Sequence, residues 1–261
     1  MIAEETYFSE ENQLKYTGSS QIKDFMKCEA CALAKLNGGW IEPKSKAMLV
    51  SSYIDEAISG TLDIFKAKNP DIFKKDGSLK AEYEVANTVL NYIENDEMFK
   101  KYISGEHQVI MTGEIAEVPV KIKIDSYFPD KLIVDLKAMK DFELIWNSEL
   151  KIKQNFINAY DYILQGALYQ EIVRQNTGKQ LPFIIAATTK QEYPERALLN
   201  IPQEEMDIKL RMLTDYALPR IKNLKEGKFE PNYCGKCDYC KSLKKVQKIY
   251  NYQDFFEERE Y

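Results

Sequence analysis

Lys131-Leu-Ile-Val-Asp-Leu-Lys-Ala-Met-Lys140, read with Val120-Lys-Ile-Lys-Ile-Asp-Ser-Tyr127 just before it, decides the fold of this chain. Both stretches carry an alternation of apolar and polar residues, from Val120 to Asp125 and from Val134 to Lys137, the period of a strand with one buried face. Each carries a carboxylate, Asp125 in the first and Asp135 in the second, and Lys137 follows Asp135 by two places. On a strand Asp135 and Lys137 project from one face and Leu136 from the other. Two acids able to share a divalent cation beside an ammonium form a compact arrangement for hydrolysing a phosphodiester. In that reading Asp125 and Asp135 are direct ligands and the Leu136 carbonyl supplies a backbone oxygen. Glu114 ligates directly or through water, and Lys137 orients the attacking water or offsets phosphate charge. Asp and Lys are also ordinary residues of a solvated strand, and short motifs match by chance often. A carboxylate inside the apolar run Ile133-Val-Asp-Leu136 favours the catalytic reading.

Outward from these strands the hydrophobic period changes. Upstream, residues 17–38, 45–66 and 80–103 show helical spacing, with Gly38-Gly39 ending the first and Asn69-Pro70 following the second. Strands are expected at 108–114, 118–125 and 132–137. A long helix follows over 155–176, then a buried strand at 182–189, an edge strand at 197–201 and a helix over 203–226 closed by Gly227. This order predicts an α/β fold, a mixed central sheet flanked by helices, in a single domain over 1–261. Within it a helical part (about 17–103) precedes a core (about 104–226) and a cysteine segment (about 227–245). In the helix after the strands, Gln165 and Tyr169 lie four apart on one face, where an amide and a hydroxyl can hold a phosphate or a metal-bound water. A buried tyrosine with a satisfied hydroxyl is the plainer account of Tyr169.

Composition excludes several classes. With 261 residues, 44% apolar and 30% charged, the chain reads as an ordinary globular protein. No apolar run approaches the ~20 residues of a membrane span, and Met-Ile-Ala-Glu-Glu-Thr-Tyr7 lacks the features of a signal peptide. No membrane partner and a cytoplasmic location are therefore expected. A net charge of −5 argues against a sequence-independent nucleic-acid coat, though not against an acidic site neutralised by metal. Lys241-Ser-Leu-Lys-Lys-Val-Gln-Lys248 reads as a solvated helix face. The single histidine, His107, rules out a His-rich metal centre and reads as an exposed strand end.

The five cysteines are Cys28, Cys31, Cys234, Cys237 and Cys240. Cys234-Gly-Lys-Cys237-Asp-Tyr-Cys240 sets three thiols at metal-ligand spacing, and Cys28 or Cys31 would complete four. Soft thiolates select zinc or an iron–sulfur cluster. Reduced free thiols packed as small hydrophobes are the alternative.

Taken in order, Asp125, Asp135-Leu-Lys137 and Gln165-Gly-Ala-Leu-Tyr169 resemble the PD-(D/E)XK nuclease superfamily, with the Gln-x-x-x-Tyr motif of its RecB-like and RecE-like exonucleases. The resemblance runs from about residue 17 to about 245 and points to phage and prophage exonucleases of the exodeoxyribonuclease VIII type. It implies a restriction-endonuclease-like core and a metal-dependent exonuclease that digests one strand of linear duplex DNA for recombination. It further implies Mg2+ or Mn2+ on Asp125 and Asp135, Lys137 as catalytic lysine, Gln165 and Tyr169 as an auxiliary pair, and Glu114 as a glutamate found in some members. DNA, a single-strand annealing protein and further copies of the chain are the implied partners. Many relatives carry Gly-x-x-x-His on an early helix, whereas Ser51-Ser-Tyr-Ile-Asp55 stands here and puts Asp55 in the histidine's place. A carboxylate suits a hard cation, so Asp55 is a further metal-ligand candidate. A catalytically silent DNA-binding or recombination-partner module on the same fold also accommodates Asp55 and the acidic charge. Ser20-Gln-Ile-Lys-Asp-Phe-Met-Lys-Cys28 is similar to the first-cysteine pattern of nucleases that hold a 4Fe-4S cluster with one early and three late cysteines. That similarity implies Cys28 rather than Cys31 as the fourth ligand, although the closing spacing here is shorter.

Overall fold

The computed structural model describes residues 2–246 and 248–257. Seven helices come first: α1 (Glu10–Lys15), α2 (Ser19–Lys27), α3 (Glu29–Leu36), α4 (Lys46–Ile58), α5 (Leu62–Lys68), α6 (Val85–Glu94) and α7 (Glu97–Ile103). Strands β1 (Glu106–Ile115), β2 (Val118–Phe128) and β3 (Leu132–Met139) follow, then a small hairpin, β4 (Ile145–Asn147) and β5 (Ile152–Gln154). The remainder runs α8 (Phe156–Ala159), α9 (Tyr162–Thr177), β6 (Phe183–Thr189), β7 (Arg196–Asn200), α10 (Gln203–Met212), a π-helical turn at Leu213–Ala217, α11 (Leu218–Lys225), α12 (Asp238–Ser242) and α13 (Tyr252–Glu257).

Five strands form one sheet in the order β1-β2-β3-β6-β7. β3 and β6 are parallel and the other neighbours antiparallel, so the sheet is mixed, as the alternation of patterns predicts. One face packs on α2, α9, α10 and α11 through residues such as Ile122, Ile124, Leu164, Leu168 and Ile221. The other face packs on α4, α6 and α7 through Ile54, Val89, Phe99, Val134 and Leu136. β6 is covered on both faces, which is why its sequence is a continuous apolar run rather than an alternation.

Four of the expected helices are interrupted, among them the one expected over 155–176, which breaks between α8 and α9 at Tyr160-Asp161, where Asp161 takes φ +48°. The first breaks at Cys28, whose backbone is extended (φ −163°, ψ 106°), so α2 and α3 meet at an angle there. The second breaks at Ser59-Gly60-Thr61, where Gly60 takes φ +77°. The third breaks at Asp96, which caps α7 by accepting from the Phe99 N–H at 3.0 Å and pairs with Arg196 at 2.8 Å. The β4–β5 hairpin falls in a stretch with too few residues to show a period.

The feature that positions everything else is a fork between β2 and β3. Their ladder holds only at Ser126–Val134, Tyr127–Ile133 and Phe128–Leu132. Beyond it β2 leaves β3 and continues beside β1 alone. The chain at Thr17 enters the gap: its N–H donates to the Pro119 carbonyl at 2.8 Å and its own carbonyl accepts from the Lys121 N–H at 3.3 Å. α2 begins two residues later and lies against α9 and α11.

α9 approaches the sheet closely at Gly166, where an added Cβ would meet Phe183 Cδ1 at 2.8 Å and Met206 Sδ at 3.1 Å. Phe183 is fully buried and cannot swing away. Gly166→Ala is therefore expected to lower unfolding stability by about 1–3 kcal/mol despite alanine's better helix propensity, measured as a lower denaturant midpoint. An unchanged or raised midpoint would show that the helix is not held against Phe183.

Candidate active site

Continuing the β2–β3 register by one step would set Asp125 opposite Asp135, but the backbone ladder has ended there. Asp125 Oδ2 instead accepts the Leu136 N–H at 2.9 Å, so a side chain supplies the bond that the departing strand no longer gives. Opposite, β1 is kinked at Gln108, a non-glycine residue at φ +55° between the pairs His107–Ser126 and Val109–Ile124. His107 Nδ1 meets the Asp125 carbonyl at 3.0 Å. The parting strands thus leave a recess whose lining includes Asp55, Ser59, His107, Gln108, Asp125 and Leu136.

Asp135 is 2% exposed. Its Oδ1 accepts from Gln165 Nε2 at 2.6 Å, and its Oδ2 faces the Lys137 ammonium as an ion pair. That second oxygen is buried and has no hydrogen bond among the described residues. Lys137 also donates to the Leu136 carbonyl at 3.1 Å, so this backbone oxygen is already engaged within the site.

Asp55, on the third turn of α4, joins the group from the other face of the sheet. Ser51, one turn earlier, donates to the Ala138 carbonyl at 3.3 Å and fixes α4 against β3. Burial and the Asp125 charge push the Asp55 carboxyl well above the usual carboxylate range. Burial and the Asp135 charge likewise raise Asp125 to about 7, against the pull of Lys137 and the Leu136 N–H. The Lys137 pKa is also raised: burial disfavours its charge, but Asp135 and Asp125 outweigh it and hold the ammonium firmly protonated.

Other predicted residues fall differently. Tyr169 is buried and donates to the Lys123 carbonyl at 3.0 Å, two residues before Asp125. Gln165 and Tyr169 thus fix the two strands that carry the acids, where the sequence suggests contact with a phosphate or water. Glu114 is not part of the group. It lies exposed at the far end of the β1–β2 hairpin, paired with Pro119, roughly 20 Å along β2 from Asp125 at about 3.3 Å per residue. Its backbone instead exchanges hydrogen bonds with the Gln175 amide, at 3.0 and 2.8 Å, tying β1 to the end of α9.

Two cations that the sequence does not single out also reach the site. Lys23 of α2 places its ammonium 4.7 Å from the centre of the Tyr162 ring, and Lys137 lies 5.3 Å from the same ring. Burial, with the Lys137 charge adding to it, lowers Lys23 to about 8, against the pull of Asp135 and Asp161. Lys190, just past β6, donates to Ser51 Oγ at 2.9 Å and to the Ala47 carbonyl at 3.1 Å, and burial lowers its pKa against the pull of Asp55.

This donor set suits a hard divalent cation. Asp55, Asp125 and Asp135 offer carboxylate oxygens side by side, the buried Asp135 Oδ2 has only the Lys137 ammonium as partner, and no thiol lines the recess among the described residues; such oxygen-rich sites favour Mg2+ or Mn2+.

At the opposite end of α2, Cys28, Cys234, Cys237 and Cys240 bring their sulfurs within 4.8 Å of one another. Cys31 is also buried, one helical turn past Cys28, but is outside that group. The Lys236 and Cys237 N–H groups donate to Cys234 Sγ at 3.4 and 3.3 Å and lower its thiol to about 6. The Cys240 N–H donates to Cys237 Sγ at 3.4 Å. Gly235, at φ +70°, allows the tight turn between the first two.

Comparison with known proteins agrees with this geometry. The family described as "PDDEXK-like domain of unknown function (DUF3799)" matches residues 18–243. The chain belongs to this PD-(D/E)XK family. A crystal structure from Eubacterium rectale, of a protein named "Putative exonuclease", is 41% identical, covers 98% of each chain and superposes with a TM-score of 0.90. No curated protein matches. Within the PD-(D/E)XK core, Asp125, Asp135 and Lys137 stand at the parting of the central strands, and no helix among the described residues is long and apolar enough to cross a membrane.

The raised carboxyls give a pH signature. Asp125 keeps its proton to about pH 7 in the folded chain, whereas an unfolded aspartate releases it near ~4. Between these values the folded state binds more protons, so metal-free stability falls as pH rises through the window. The metal-free melting temperature is expected to drop between about pH 4 and about pH 7, and Mg2+ or Mn2+ to restore it at the upper end. Asp125→Asn should flatten both responses in a pH series of thermal melts; an undiminished metal response would remove Asp125 from the ligand set.

Proposed function

We propose that this PD-(D/E)XK nuclease is a metal-dependent exodeoxyribonuclease acting on linear duplex DNA in phage-type recombination, in the manner of RecE-like enzymes. The observation that carries the reading is the buried Asp135, held between Gln165 and Lys137 beside Asp125 and Asp55. Asp125, Asp135 and Asp55 would hold Mg2+ or Mn2+. When bound, such an ion neutralises charge on the phosphate and lowers the pKa of a coordinated water. Lys137 is held protonated, so it serves as an electrostatic partner for a phosphate oxygen rather than as a base. Lys23 offers a second amine on the same side of Tyr162 and can receive a DNA phosphate. Gln165 fixes the Asp135 carboxylate, and Tyr169 fixes β2 through the Lys123 carbonyl. His107 and Gln108 form the rim at the kinked strand. The name of the Eubacterium rectale protein supports exonuclease action. The proposal includes a cytoplasmic setting, a single-strand annealing protein as recipient of the product strand, assembly of several copies, and a metal centre at the cysteines.

Wild-type protein with Mg2+ is expected to release nucleotides from linear duplex DNA and to leave closed circular duplex intact. Asp135→Asn and Lys137→Ala should each lower the rate on the order of 10²–10³-fold. Lys23→Met should chiefly weaken DNA binding and make its salt dependence shallower by about one unit of log–log slope, since it removes one phosphate contact. DNA binding without metal-dependent turnover would instead establish a silent binding module. Equal rates for wild type and Asp135→Asn would refute the site.

A further inference from the structure

The cysteine cluster sits apart from the acidic site, and its dimensions specify what it binds. Cys28 Sγ lies 3.5 Å from Cys240 Sγ, Cys234 Sγ lies 3.9 Å from Cys240 Sγ, and all four sulfurs fall within 4.8 Å of one another. A zinc ion bonds thiolate sulfur at about 2.3 Å, and a tetrahedron with that radius has sulfur–sulfur edges of about 3.8 Å. A four-iron, four-sulfide cubane interposes its own eight atoms between the thiolates and holds them well beyond these separations. The sulfurs are therefore spaced for one ion.

The surroundings are built to match. Cys234 accepts two backbone N–H groups and Cys237 accepts one, which orients both sulfurs before any ion binds. Trp40 and Tyr239 pack against the cluster with their rings edge to face, 5.5 Å apart, and exclude water from one side. Trp40 Nε1 is buried without a hydrogen-bond partner among the described residues, a donor left over in the shell of four potential thiolates. Glu29 and Arg220 pair through two bonds of 2.9 and 2.7 Å, and Glu29 also accepts the Asn232 N–H at 2.8 Å. These contacts hold the segment before Cys234 beside the start of α3 independently of the thiols.

We propose that Cys28, Cys234, Cys237 and Cys240 bind a single tetrahedral zinc ion, and that this ion is a clasp holding α2 in the fork between β2 and β3. Cys28 is the residue at which α2 ends, while the other three ligands come from beyond α11. Closing the clasp fixes the C-terminal end of the helix that carries Lys23 to Tyr162. Its other end is already fixed by Thr17 on β2. The clasp is separate from the acidic site, so zinc binding stands or falls independently of nuclease activity.

Protein purified without oxygen, analysed for metals and by visible absorbance, tests the assignment. The expected result is a colourless protein with one zinc per chain, unchanged in Asp135→Asn and in Cys31→Ser, and lost in Cys237→Ser. Iron with acid-labile sulfide and a visible thiolate–iron band, an absence of bound metal, or loss of zinc in Cys31→Ser would each overturn it. Hydrogen exchange on wild-type protein, before and after zinc is stripped by a strong chelator, tests the clasp without requiring any variant to fold. Exchange over residues 19–36 should rise while β6 stays protected. Unchanged exchange over residues 19–36, or loss of protection throughout, would refute a clasp acting on α2.

Discussion

The hydrogen bond from the Leu136 N–H to the Asp125 carboxylate is the constraint on which the rest of the site depends. Two antiparallel strands that separate leave backbone groups without partners, and each buried one costs about 1–3 kcal/mol if nothing replaces the lost bond. Asp125 replaces one of them with its side chain, and so becomes fixed beside Asp135 at the point of separation. The parting also opens room for other elements. Thr17 bridges to the free side of β2, and α2 follows into the fork. α4 closes on β3 from the other face and brings Asp55. One break in a β-ladder thereby gathers side chains from residues 23, 55, 125, 135 and 137.

Such a gathering is electrostatically expensive for a free protein. Burial and the neighbouring carboxylates raise the pKa of Asp55 and of Asp125, and one lysine paired to Asp135 does not balance three acids. The fold tolerates this only because strong neighbouring contacts hold each member: Gln165 on Asp135, the Leu136 N–H on Asp125, and Ser51 against the Ala138 carbonyl for the helix of Asp55. Functional groups held against their own repulsion are common where charge must be met by a ligand. Asp55 adds a third negative charge to the group, and Lys190 lies beside the same helix face.

β2 could be read from the sequence because its apolar side chains alternate with polar ones, and β3, covered on both faces, because Asp135 interrupts an apolar run where a solvated face would not lie. The register could not. Glu114 and Asp125 both sit on the β1–β2 hairpin, and only the pairing of Glu114 with Pro119 shows that they occupy opposite ends. Lys23 was hidden for another reason. On α2 it follows the ordinary polar spacing of an amphipathic helix, and only the entry of that helix into the fork turns a solvent-like position into one facing Tyr162. The break at Cys28 was equally invisible, since the residues on both sides favour helix and tertiary contacts decide where the chain turns. Cys28 itself was distinguishable from Cys31 only through the resemblance of its flanking residues to a known pattern. The structure separates them by distance, with Cys28 inside the group of four sulfurs and Cys31 one turn beyond.

α2 links the two chemical centres of the molecule. It has nine residues, too few to be a stable helix in isolation, where about 12–15 are needed even for favourable sequences. Its buried face, Ile22 and Phe25, enters the same core as β2 and α9, which sets its depth but leaves its ends to be fixed separately. Thr17 fixes one end through the β2 backbone, and the cysteine cluster meets the other at Cys28. A short helix pinned at both ends can present Lys23 to the acidic site in one position, where a helix pinned at one end would pivot about Thr17. The separation of the thiol cluster from the acids is thus compatible with a shared purpose: the cluster determines where the helix lies, and the helix determines where its amine meets Tyr162.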